Sequence, residues 1–172
     1  NQGWHVGATG FYTSFSLPLT PDQSQLYKRF APQGYNFWNA SVDYGYVSHR
    51  WTIAGETATG NCGAIATLNA ASYLFSDYFS LLALHRFYSA RYYSLFSNSF
   101  SEGSDVQDEN GAYLGFTWIP AHRWSITGYS DFAYFVWPKY HTKQSTQCWD
   151  HLLNILYQPN KSWTLGTRLR YK

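Results

Sequence analysis

Residues 123–140 read RWSITGYSDFAYFVWPKY, and they alternate. Trp124, Ile126, Gly128, Phe132, Tyr134 and Val136 share one parity, interrupted by Ser130, while Ser125, Thr127, Tyr129, Asp131 and Ala133 share the other. A period of two sets these groups on opposite faces of a strand, so one face suits hydrocarbon and the other water. Strands of soluble sheets usually run about 5–6 residues. Here the pattern continues for about fourteen, until Pro138 removes a ladder donor, and a tilted strand needs roughly 9–11 residues to cross a bilayer. Trp124 at one end and Tyr134, Phe135 and Trp137 at the other match the aromatic girdles at the two interfaces of a membrane barrel.

Composition points the same way. The 172 residues are 21% aromatic and only 13% charged, against about 25% charged in ordinary globular domains. Sixteen Tyr, twelve Phe and eight Trp exceed what a soluble core of this size buries, and exposing them to water would create large apolar patches. A mean hydropathy of −0.39 and the lack of any run of about 18 strongly apolar residues exclude spanning helices. A closed barrel is the other way to satisfy every backbone group in lipid, and its polar interior keeps hydropathy low. The net charge of +2 is scattered except at the C-terminal end, which gives no footprint for nucleic acid. With no signal peptide and no Met, the chain reads as a processed protein, a fragment or a subunit piece.

Working outward from 123–140, the same alternation predicts strands over residues 4–15, 35–47, 51–58, 64–73, 78–88, 111–119, 148–157 and 163–171. The connections then run long, short, medium, short, long, short, long, short, the asymmetry of barrels whose periplasmic turns are short and surface loops long. Nine strands that start and finish in the same direction cannot close an antiparallel barrel unaided. The expectation is an all-β fold: a transmembrane antiparallel up-and-down β-barrel of about 8–10 strands, forming a single domain over residues 1–172 or an arc of a larger barrel.

The inward parity collects Asp43, Glu56, Arg86, Asp131, Asp150, Arg168 and Arg170. Charges of both signs inside a barrel either pair and fill it or line a water channel. Arg168, Arg170 and Lys172 recur at every second position, about 7 Å apart, and would repel unless acids oppose them. Asp131, Asp150 and Glu56 are the candidates, Asp150 first because its strand is the hairpin neighbour. Glu102, Asp105, Asp108 and Glu109 could ligate a hard cation but lack the spacing of a calcium loop, and read as a solvated surface loop. Cys62 and Cys148 fit no zinc or redox spacing, which leaves a single disulfide or two free thiols. The six histidines have no legible Ser–acid companions, so no catalytic residue, metal or cofactor is assigned.

Four stretches, AGETATG (54–60), HRFYSARYYSLFSNSFSEG (85–103), DENGAYLGFTWIP (108–120) and SITGYSDFAYFVWPKY (125–140), resemble outer-membrane proteins of Bacteroidota that carry N-terminal helix-hairpin-helix repeats before a large barrel. The resemblance covers barrel-wall motifs only, and the helix-hairpin-helix part, which would suggest DNA, lies outside these residues. It implies an integral outer-membrane barrel in contact with lipid and lipopolysaccharide. The expected function is a membrane anchor or a subunit of an outer-membrane assembly, with outer-membrane or periplasmic partners; a diffusion channel or transporter wall is the alternative, and a surface enzyme the third.

Overall fold

The computed structural model describes residues 2–22 and 24–172. Nine strands follow one another: β1 Gly3–Leu19, β2 Gly34–Val47, β3 Trp51–Gly60, β4 Ile65–Ser76, β5 Phe79–Tyr88, β6 Glu109–Trp118, β7 Trp124–Phe135, β8 Thr146–Asn160 and β9 Trp163–Tyr171. A single 3-10 turn at Leu26–Lys28 is the only helical element among the described residues. Each strand pairs antiparallel with the next, in the order β1 to β9, so the sheet is all-β and up-and-down as the alternation predicts. It is not closed: β1 and β9 are its two edges.

β1 and β8 extend beyond the predicted bounds because each runs on through a proline, a residue that reads as a stop. Pro18 lies within β1, at the register break between Ser14 and Leu19, and Pro159 lies within β8, at the break between Tyr157 and Asn160. A break of this kind is where a strand tolerates a residue without an N–H. The β4–β5 turn falls at residues 77–78 rather than 75–77.

Register fixes the faces. One row runs across the sheet as Gly7, Asp43, Glu56, Leu68, Arg86, Gly111, Ala133 and Cys148, and the row of the opposite face as Val6, Tyr44, Gly55, Asn69, His85, Ala112, Phe132 and Trp149. The first face is concave and takes up the long loop of residues 89–108. The concave side buries Phe37, Tyr88, Ala133 and Phe135, and with them Arg86, Glu109, Asp131 and Asp150, charged groups that a soluble core rarely encloses. On the convex side Trp4, Val6, Leu114, Leu165 and Leu169 are each more than half exposed.

The convex face carries an aromatic band along its short-turn end. Trp4 packs on Tyr46 at 4.8 Å between ring centres, Trp51 on Tyr73 at 4.5 Å, Tyr73 on Phe75 at 4.6 Å and Trp124 on Tyr157 at 4.5 Å. Phe132 and Trp149, 4.6 Å apart, mark the face nearer the long loops. Between these, β2–β4 interrupt the apolar surface with a hydrogen-bonded chain in which Tyr44 donates to Asn69, Asn69 to Thr67, and Thr67 meets Thr57.

Candidate functional site

The concave face at the long-loop end holds the chemistry. Arg86 projects from β5 and is fully buried; β6 and β7 bring its partners within reach. Its Nε donates to Glu109 Oε1, and its Nη1 and Nη2 donate to Asp131 Oδ1 and Oδ2 at 2.7 and 3.2 Å. One guanidinium thus serves two carboxylates, one of them bidentately, which a lysine could not do. The Phe100 ring lies 5.0 Å from the guanidinium carbon, a cation–π contact from the loop. Gly111 stands directly opposite Arg86, and a Cβ there would lie 2.5 Å from the guanidinium carbon, so the absence of a side chain makes the room.

Glu109 also ties the loop down, accepting from the Glu102 and Gly103 amides at 3.0 and 3.1 Å. The loop packs Tyr92 against Tyr88 and Ala66, sets Tyr93 edge-on to Phe37 and accepts at the Tyr93 carbonyl from Asn39 Nδ2 at 3.1 Å. Residues 89–108 are therefore a plug over the concave face. The other long loops lock onto it. Gln107 donates to the Phe30 carbonyl at 3.4 Å and to the Ala90 carbonyl at 2.9 Å, and Trp137 Nε1 donates to the Leu26 carbonyl at 2.8 Å.

Toward β9 the ion pairs continue. Arg170 donates from Nε and Nη2 to the two Asp150 oxygens at 2.9 and 2.5 Å, as the hairpin argument predicts, and Tyr129 OH donates to Asp150 at 3.2 Å. Lys172 pairs with Glu102 of the loop. Arg168 faces the same side, opposite Asn154, and forms no ion pair among the described residues. Asp43 and Glu56 face each other directly across β2 and β3 without an ion pair among the described residues; a Cβ on Gly7 would lie 2.5 Å from Asp43 Oδ1, so the carboxylate lies over that glycine.

Of the acidic loop, Asp105 is exposed as expected, and the other three acids depart from expectation. Rather than a solvated surface group, Glu109 is buried on Arg86, Glu102 holds Lys172, and Asp108 is buried with its oxygens accepting from the Trp137 amide at 2.9 and 3.1 Å and Lys139 3.8 Å away. Burial pushes the Asp108 carboxyl above the usual range, and the Trp137 amide only partly offsets this. Among the described residues no three His, Cys, Asp or Glu side chains converge as a metal site would need. Cys62, in the turn after β3, and Cys148, on β8, are both free thiols. The histidines scatter: His5 on the concave face, His85 and His151 on the convex one, the others in turns and loops.

At the short-turn end the concave face is open, with a cavity of about 580 Å³ lined by Ser48, Thr52, Ser72, Ser80, Thr117 and Thr127 among others. No protein-family model, curated protein or solved structure matches the chain.

Proposed function

We propose that this chain is part of the wall of an outer-membrane β-barrel, lipid on its convex face, and that it serves as a membrane anchor or as a subunit of an outer-membrane assembly rather than as an open pore. The exposed face carries the proposal: Trp, Val, Leu and Tyr stand out on the convex side, while the concave side buries Arg86 and three carboxylates alongside Phe37, Tyr88 and Phe135. In water the convex face would expose apolar patches larger than soluble monomers carry. In lipid the same face is in its proper solvent, and the aromatic band along the short turns lies at the headgroup level. The resemblance to Bacteroidota outer-membrane barrels agrees with this placement.

The plug favours the anchor over the channel. Residues 89–108 and the Arg86 ion pairs occupy the long-loop half of the concave face, so water has no wide path there. The open cavity at the short-turn end favours the second reading, a channel or transporter wall, if the loop moves aside. Two measurements test the proposal. Carbonate washing of membranes from expressing cells should leave the protein in the pellet, and a water-soluble monomer would overturn the membrane placement. Purified protein in planar bilayers should be silent, whereas steady conductance steps would replace the anchor with the channel.

A further inference from the structure

The edges of the sheet define a partner. β1 leads into the first long loop and β9 runs toward the same end of the sheet, so the two edge strands point the same way. Every second residue of each turns its N–H and C=O away from its only neighbour, and in hydrocarbon those groups need partners. Pairing β9 with β1, of this copy or of a second copy in the same membrane orientation, would be parallel. An antiparallel wall therefore needs an odd number of additional strands between β9 and β1.

Two contacts show how the edges are disposed around the plug. Phe96 of the loop meets Phe11 of β1 with ring centres 6.2 Å apart, and Glu102 of the same loop pairs with Lys172 beyond β9. One loop touches both edges, so the arc already bends around a common interior. The charge on β9 then specifies what comes next. Arg170 and Lys172 have acids, but Arg168 has none among the described residues, and the inward residues of its row on β5 to β8 are Ser80, Thr117, Thr127 and Asn154, all neutral. Within that row, only the open side of β9 is left to supply a carboxylate.

Resting on the barrel proposal, we infer that β9 pairs with a further β-strand of polypeptide that runs antiparallel to it, apolar residues outward, with an inward Asp or Glu beside Arg168. Leu165 and Leu169 lie outward on β9 and flank that position. Benzoylphenylalanine placed at Leu165 or Leu169 of the native protein in its own membrane, irradiated and mapped by mass spectrometry, reads the neighbour directly. Adducts from 169 that precede those from 165 in the partner's sequence, with a carboxylate at the inward position between them, are the expected result. The same order of adducts in both, or adducts to residues 3–19 of a second copy, would mean a parallel seam and overturn the proposal. Adducts to lipid alone would do so too, and an antiparallel partner without the carboxylate would overturn the charge match. Carbonate washing of the same membranes reads the barrel proposal separately, because adducts form whether or not the strand lies in lipid.

Discussion

Replacing Arg86 with Met should be among the most damaging single changes in the chain. Methionine fills most of the space but leaves two buried carboxylates without their cation, and breaking a buried ion pair by removing one partner costs about 3–5 kcal/mol. The loss is unequal. Glu109 keeps the amides of Glu102 and Gly103, whereas Asp131 loses both of its hydrogen bonds and has no other partner among the described residues. Adding Asp131→Asn to Arg86→Met should therefore recover about half of the lost stability, and adding Glu109→Gln clearly less. Urea unfolding of refolded protein in detergent micelles, followed by the emission of its eight tryptophans, measures each value. Arg86→Met within about 1 kcal/mol of the parent, a difference ordinary for surface changes, would refute the buried network. So would a double variant with Glu109→Gln that recovers as much as the one with Asp131→Asn, since the carboxylates would then not differ in what remains to them.

Phe132→Arg should cost up to roughly 2–4 kcal/mol, the figure for a cation at mid-bilayer, and less the nearer the side chain lies to the long-loop interface, plus about 1 kcal/mol for the lost Trp149 contact, whereas Thr127→Arg, facing the open cavity, should cost much less; equal losses in the same urea titration would reverse the faces. Asp108 should titrate above ordinary aspartates in carboxyl NMR, and because its folded form binds the proton more readily than the unfolded chain, lowering the pH through that raised value should favour the folded state. Asp108→Asn should accordingly be tolerated at neutral pH, since Asn keeps an acceptor for the Trp137 amide and is at ease at φ 54°, while Asp108→Val should be strained there. A maleimide added to unfolded protein without reductant should modify both Cys62 and Cys148, and protection of both until reductant is added would contradict the free thiols.

The strands and their faces were legible because a period of two is local: each residue declares its side by parity alone, and Asp43, Glu56, Arg86, Asp131, Asp150, Arg168 and Arg170 all lie on the concave face that their parity assigns. The pairing of Arg170 with Asp150 followed from hairpin adjacency, which is also local. Strand ends were less legible, since Pro18 and Pro159 read as terminators while the sheet absorbs both at register breaks.

The part that sequence reading missed is the plug. Residues 89–108 carry no alternation, and a polar stretch of that length between two strands reads as surface loop. What distinguishes it is spatial: the carboxylate of Glu109 faces inward at the first position of β6, so it can accept at once from Arg86 on the neighbouring strand and from the backbone of the loop that precedes it. The signal was present in Glu109 and in the aromatics Tyr92, Tyr93 and Phe100, too apolar for a solvated loop, but it points to the interior only once Arg86 is known to lie two residues from the end of its strand and opposite a glycine. Both acids of Arg86 come from neighbouring strands, Glu109 from β6 and Asp131 from β7, but a sheet cannot cover the open side of the guanidinium. The loop does so, laying Phe100 over it and giving Glu109 two backbone amides, and this is why the closed half of the concave face is the half that contains Arg86.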